Sequence, residues 1–175
     1  MAARTAVRML AVDDVAAYRD LMLHAYAAAP DAFTSTAEER AQESLEWWTR
    51  RVCDPEGRGV GFGAFDAAGA LAGTVTLEYS AKPKTRHKAH LIGMYVRESA
   101  RGGGIGAALV EAALAHARDV GHAHAVVLTV TQGNDSAIRL YTACGFRAWG
   151  VEPVAIRTPG GYLEKVHMTC VLGAR

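Results

Sequence analysis

The sequence is poor in the features that would staple a small protein together, anchor it in a bilayer or draw it onto a polyanion. Cysteine occurs 3 times in 175 residues. Cys53, Cys144 and Cys170 are far apart, odd in number, and part of no CxxC pair or closely spaced Cys/His set. That excludes a disulfide framework and a structural zinc site, and leaves three small hydrophobes suited to a reducing compartment. Neither charge sign is in excess: 19 Lys and Arg stand against 18 Asp and Glu, for a formal net charge of +1. Domains that grip nucleic acid carry a large basic surplus, so no nucleic-acid partner is expected. Long apolar runs are missing too, and no window approaches the ~20 residues of a membrane span. Near the start, Arg4, Arg8, Asp13 and Asp14 interrupt any run before it could act as a signal segment. The expectation is a soluble, cytoplasmic protein with no membrane partner. There is no internal repeat, linker or low-complexity stretch, so residues 1–175 read as a single domain.

What is present is core. Half the residues are apolar, and a chain this long buries roughly 70% of its unfolded surface, enough to close one core without staples. Residues 5–10 form a short strand candidate. Asp13 or Asp14 offers an N-cap to a helix that runs to about Ala29 and stops at Pro30. Ser35 or Thr36 ahead of Glu38 and Glu39 signals a second helix, running through Trp47 and Trp48 to the Asp54-Pro55-Glu56-Gly57 break. Val60–Phe65 and Leu71–Tyr79 flank the turn Asp66-Ala67-Ala68-Gly69 as a hairpin. A strand over 89–96 then leads through Arg101-Gly102-Gly103-Gly104-Ile105-Gly106 into a helix whose apolar positions repeat from Ile105 and Leu109, ending near Gly121. Ala125–Thr131 is valine-rich and almost wholly apolar, as a strand buried on both faces would be. Asn134 or Asp135 caps a short helix ending at Gly145, and two strands surround the Thr158-Pro159-Gly160-Gly161 turn.

The order is β-α-α-β-β-β-α-β-α-β-β. Strands 89–96 and 125–131, joined by a helix, should be parallel neighbours in a right-handed βαβ unit. The fold class expected is therefore α/β, a mixed and mostly antiparallel sheet with a central parallel pair.

The informative feature is the strand that runs straight into four glycines within residues 102–106 and then into a helix. Each glycine in a helix costs about 1 kcal/mol relative to alanine, so something must offset the penalty. An anion that needs close backbone approach would do so, held by the free N–H groups of Gly102–Ala107 at the positive end of the helix. Arg101 either adds charge or braces the loop. The Gly-Lys-[Ser/Thr] ending of a nucleoside-triphosphate loop is absent. Gly102, Gly104 and Ala107 fit a dinucleotide GxGxxA, but the acidic residue required after the next strand is missing beyond Val130-Thr131. Hydride transfer is thus a weaker reading.

Arg101-Gly102-Gly103-Gly104-Ile105-Gly106 resembles the [Arg/Gln]-x-x-Gly-x-[Gly/Ala] acyl-CoA signature of the GNAT N-acetyltransferase superfamily. Asn134-Asp135-Ser136-Ala137-Ile138-Arg139-Leu140-Tyr141 with Gly145-Phe146 resembles a second segment of that family, at the expected distance. The resemblance implies acetyl-CoA as cosubstrate, without a metal, in the gap where strands 89–96 and 125–131 splay apart. Its pyrophosphate would lie on the amides of Gly102, Gly103, Gly104, Ile105, Gly106 and Ala107, beside Arg101. Backbone groups of Met94, Tyr95 and Val96 would pair with the pantetheine as an added strand would, and Asn134 and Tyr141 would close the other side.

The implied chemistry is acyl transfer to a primary amine of a small molecule or protein. A base must remove a proton from the amine, the developing oxyanion needs a donor such as a strand N–H near Met94 or Tyr95, and the departing thiolate accepts a proton. The family motif puts Tyr141 in the acid role; its other reading is a core aromatic. The position where some members carry a basic glutamate is Thr129 here, which cannot act as a base. His90 falls where other members place a glutamate or histidine, and a histidine suits proton transfer near neutral pH; its other reading is a buried structural histidine on the face of Ile92, Met94 and Val96. Glu78 is the next candidate, and a water chain the last. Residues 26–50 and 150–162 would shape the acceptor cleft, with one of Trp47 and Trp48 in the core and the other lining that cleft or an interface. The alternative function is a non-catalytic acyl-CoA sensor. The run Lys82, Lys84, Arg86, His87, Lys88 reads as a solvated connection, His122 and His124 lack further ligands for a metal, and the final strands offer an edge for a homodimer.

Overall fold

The computed structural model describes residues 5–173; Arg4 lies outside them. One seven-stranded sheet runs in the order β1-β2-β3-β4-β5-β7-β6. Its strands are β1 (Ala6–Met9), β2 (Gly59–Phe65), β3 (Leu71–Tyr79), β4 (Lys88–Val96), β5 (Ala125–Thr131), β6 (Arg147–Thr158) and β7 (Gly161–Val171). Neighbours are antiparallel except β4 and β5, which are parallel. The helix between that pair, α4 (Ile105–Asp119), makes it the expected βαβ unit.

Local chemistry explains most of the boundaries. Helix α1 (Val15–Ala28) buries Val15, Tyr18, Leu21, Met22, Ala25 and Tyr26, one stripe at helical spacing, and Pro30 follows its end. Asp14 precedes it without capping it; its carboxylate instead takes two hydrogen bonds from Arg8, at 2.7 and 3.0 Å, and one from the Ala11 N–H at 2.8 Å.

The single helix expected from Ser35 to Asp54 is two. Thr36 and Glu39 form the capping box of α2 (Ala37–Ala41). The chain then turns, and Ser44, in extended conformation, accepts a hydrogen bond from the Trp47 N–H at 3.1 Å to start α3 (Leu45–Cys53). The second cap wins because a serine oxygen satisfies a free N–H wherever a helix begins, and it allows α3 to set its own angle. Trp48 and Val52 of α3 are buried under α1, while Trp47 remains half-buried against Trp48.

The core has two parts, one on each side of the sheet. Leu109, Val110, Ala113 and Ala117 of α4 pack with Val75, Leu77, Val126, Phe146 and Met168. Tyr18, Leu21, Met22, Trp48 and Val52 pack against the other side, with Leu71, Phe65 and Tyr95. Fully burying one such aliphatic or aromatic side chain contributes ~1.5–3 kcal/mol. Strand β5 is not buried on both faces: Val126, Leu128 and Val130 are buried, whereas Ala125 and Val127 are half-buried and Thr129 is exposed. At Thr129 that face opens into a cavity, and this opening belongs to the site. Gly121 follows α4 without a left-handed φ; a Cβ there would collide with the ring of Tyr79.

Candidate functional site

The site begins where β4 stops pairing. Parallel pairing of β4 with β5 runs only through Lys88, Ala89 and His90, opposite Ala125, Val126 and Val127. Beyond His90 the two strands separate. On its other side β4 pairs with β3, but the register skips between Thr74 (opposite Tyr95) and Thr76 (opposite Ile92), so Gly93 and Met94 together face one residue. This is a β-bulge, and Gly93 holds the positive φ of 61° that it demands. The unpaired edge of β4 thus continues into the opening with its peptide groups free of a β5 partner. A lone glycine inside an apolar strand is the signal that marks such a bulge in a sequence.

Two cavities meet at the bulge. The first is a groove of about 500 Å³ walled by Met94, Tyr95 and Val96 on one side and by Asn134, Ser136, Ala137 and Leu140 on the other. Arg101, Gly102, Gly104, Ile105, Gly106 and Ala107 form its end. Of the residues assigned to a cofactor, Gly103 and the buried Tyr141 are not among those that line the groove; the others line it directly. Asn134 caps α5 (Asp135–Ala143), accepting from the Ala137 N–H at 3.3 Å, while also facing the groove. Arg101 braces the loop: its Nε donates to the Val96 carbonyl at 3.0 Å, and its guanidinium lies 5.5 Å from the Tyr95 ring centroid.

The glycines differ in what they require. Gly102 and Gly104 have φ of 84° and 77°, a backbone that side chains rarely adopt. A Cβ on Gly106 would press on Leu140 at 3.1 Å and Met94 at 3.3 Å, so that glycine brings α4 close to α5 and β4. At Gly103 neither reason holds, since φ is not positive and nothing lies within 4 Å of a Cβ. Among the described residues, no backbone acceptor pairs with the N–H groups of Gly102–Ala107. They open the first turn of a 15-residue helix, where the dipole favours an anion.

The second cavity, about 300 Å³, lies on the far side of Gly93 and shares Ala32 and Phe33 with the groove. Its walls include Tyr26, Ser35, Arg40, Arg51, Glu78, His90, Thr129 and Lys165. Glu78 and His90 are direct cross-strand partners in the β3–β4 register, so one face carries both. His90 is exposed on this face, not buried among Ile92, Met94 and Val96 as its structural reading required. The cover over the fork comes from residues Pro30–Ala32, tied to β5 by the Thr131 hydroxyl, which donates to the Asp31 carbonyl at 2.6 Å. Residues 150–162, expected to help shape an acceptor cleft, line neither cavity. Arg51 and Lys165 are lining residues that sequence reading missed; a charged residue on a helix or a strand carries no local sign that it faces inward.

Tyr141 is 7% exposed, with its ring edge-on to Phe146 at 5.8 Å between centroids. Burial pushes its hydroxyl well above the ordinary tyrosine value. The group is therefore protonated at neutral pH.

The family model for the acetyltransferase (GNAT) family matches residues 21–146, which contain the bulge, the glycine loop and the Asn134 cap. The chain belongs to that family. A mycothiol acetyltransferase of Thermobispora bispora is 32% identical over 143 residues, covering 79% of this chain and 45% of its own length. Another, from Salinispora tropica, is 35% identical over 86 residues, 49% of this chain and 28% of its own. The chain thus spans less than half the length of these relatives. Among solved structures, a GCN5-related N-acetyltransferase from Kribbella flavida superposes with a TM-score of 0.80 at 26% identity, covering 96% of this chain and 98% of that one. A GNAT superfamily phosphinothricin acetyltransferase from Sinorhizobium meliloti, solved with acetyl-CoA, gives 0.81 at 20% identity over 97% and 89%. The GNAT fold accounts for the whole described sheet. Among the described residues, no helix is long and apolar enough to cross a membrane.

Proposed function

We propose that this chain transfers an acetyl group from acetyl-CoA to a primary amine, both substrates being held at once in one ternary complex. The observation that carries this reading is the junction of two cavities at the Gly93 bulge: a groove whose end is a ring of free amides, and a chamber that holds a histidine and a carboxylate. The residues suit acetyl-CoA. Free N–H groups at a helix start take a pyrophosphate, the unpaired β4 edge takes the amides of an extended arm, and Gly103 has no role that the protein itself requires. When bound, acetyl-CoA supplies an activated acetyl group on a good leaving thiolate.

The chain's own residues supply the remainder. His90, with Glu78 across from it, takes the proton that frees the amine lone pair. The peptide N–H groups at Gly93 and Met94, withdrawn from regular pairing by the bulge, face the developing negative charge. Tyr141 holds the proton for the leaving sulfur; burial keeps that hydroxyl protonated but also makes it a weaker acid than an exposed tyrosine. Phe33, shared by both cavities, limits water at the junction.

Isothermal titration with acetyl-CoA beside NADH and ATP tests the groove, and thiol release with a panel of amines tests turnover. Binding of acetyl-CoA alone, followed by amine-dependent thiol release, is expected. Binding without release on any amine would make the chain an acyl-CoA sensor, a reading to which the burial of Tyr141, which lines neither cavity, lends weight. No binding at high micromolar concentration would overturn the proposal.

A further inference from the structure

The chamber beyond Gly93 has an unusual charge content. Three cations, Arg40, Arg51 and Lys165, line it against one carboxylate, Glu78, beside His90. Arg40 is accounted for by Glu43 at 3.3 Å and by the Ser35 hydroxyl at 2.7 Å. The other two have no carboxylate in ion-pair contact among the described residues, although Glu78 favours the charge of Arg51, and Glu152 that of Lys165, from farther off. Arg51 is half-buried, donates through Nε to the Tyr18 hydroxyl at 3.2 Å, and leaves its two terminal nitrogens without a carboxylate in ion-pair reach among the described residues. One of those nitrogens is 3.8 Å from the position of a Cβ on Gly93, at the mouth between the cavities. Lys165 donates to the Thr129 hydroxyl at 3.2 Å; Glu152, its cross-strand neighbour, is committed to His167 at 2.8 Å. Burial lowers the Lys165 pKa, a sign that its charge is held with too little compensation.

A half-buried cation with no ion-pair partner gains from an anion that completes its contacts, and two such cations with Glu78 as the one carboxylate in the lining give the chamber a positive excess that a ligand's anion would balance. The shape of the demand is specific. A guanidinium offers paired donors to a planar carboxylate, and Glu78 with His90 offers the opposite polarity to an ammonium a short distance away. Tyr26, Phe33, Leu91 and Ile92 supply apolar walls between them. We infer that the acceptor is a free α-amino acid, its carboxylate held by Arg51 and Lys165 and its amino group presented to Glu78, His90 and the Gly93 bulge.

This inference rests on the proposed amine acetylation and narrows it. A protein N-terminus, a lysine side chain or a polyamine carries no carboxylate beside the reacting nitrogen and would leave both cations without an ion pair. The step is ordinary acyl transfer: the C–S bond of the thioester breaks and an amide C–N bond forms, and of the two protons the ammonium loses, one leaves through His90 to solvent and one ends on the thiol.

The test uses the full chain with the proteinogenic L-amino acids, each beside its carboxamide, which mimics a peptide N-terminus. Thiol release gives kcat/KM, and calorimetry with CoA present measures binding of each N-acetyl amino acid and its amide without turnover. At least one amino acid is expected to be preferred over its amide by tenfold or more in both assays. Arg51→Gln and Lys165→Met should each bring that ratio towards one, chiefly through KM. The Lys165 variant keeps the test decisive if loss of the Tyr18 contact unfolds the other. Equal use of acid and amide would overturn the inference while leaving amine acetylation intact, as would a preference that both variants retain. If no acceptor is acetylated although acetyl-CoA binds, the proposed function falls and this inference with it.

Discussion

Replacing Gly103 by alanine separates a glycine kept for a ligand from one kept for the fold. Gly103 has no positive φ, and a Cβ there meets nothing within 4 Å. The folded protein therefore accepts the methyl group, while the unfolded chain loses freedom, which stabilises by about 0.4–1 kcal/mol. For a chain of this size, that raises Tm by ~1–4 °C. The same methyl stands among the free amides of Gly102–Ala107, where a pyrophosphate would lie. Loss of one hydrogen bond to a charged group costs ~1.5–3 kcal/mol, and at about 1.4 kcal/mol per decade the Kd for acetyl-CoA rises roughly 10- to 150-fold. Gly104→Ala is the control. Its φ of 77° makes alanine unfavourable by roughly 1–2 kcal/mol, so stability and affinity fall together. Differential scanning calorimetry and isothermal titration on the two variants read both quantities. A Gly103→Ala protein that binds acetyl-CoA within twofold of the parent would refute the argument that a ligand demands this glycine.

Tyr141→Phe keeps the ring on Phe146 and removes only the hydroxyl, so a proton-donor role predicts a kcat loss of about 10²–10⁴ in stopped-flow thiol release; unchanged turnover would remove the assignment. For His90→Gln, a comparable loss in kcat/KM should come with disappearance of the acidic limb of the pH profile, and Glu78→Gln should lose less; a parental profile in His90→Gln would exclude it as the base. Asp14 tests the fold away from the site. Its hydrogen bonds from Arg8 hold the carboxyl below the ordinary carboxylate value, so the stability it confers is present above that value and is lost as pH falls through the depressed one. Asp14→Asn should therefore lower Tm near neutral pH by an amount that shrinks to nothing in strong acid, followed by circular dichroism.

The features legible in the sequence are those decided within a few residues. Thr36 with Glu39, Asn134 ahead of Ala137, and the glycines before Ile105 each answer a local question, namely which group satisfies the free N–H groups of a helix start, and each stands where the residues imply. Local signals also misled where two competed. Thr36 and Ser44 both cap, and reading only the first merged α2 with α3. The valine-rich β5 read as buried on both faces because composition cannot report that its parallel partner leaves it after three residues. What the sequence withheld most completely is the charge of the chamber. A chain with a formal net charge of +1 has no visible electrostatic preference. Yet several of its acidic residues are paired locally, Glu43 with Arg40, Asp54 and Glu56 with Arg58, and Glu152 with His167. Arg51 of α3 and Lys165 of β7 are left without an ion pair among the described residues, in a space that only the folded sheet brings together and that Glu78 alone lines with a carboxylate. Charge balance over a whole chain thus constrains its bulk solubility and its affinity for polyanions, while substrate selection depends on which few charges the fold leaves without a partner.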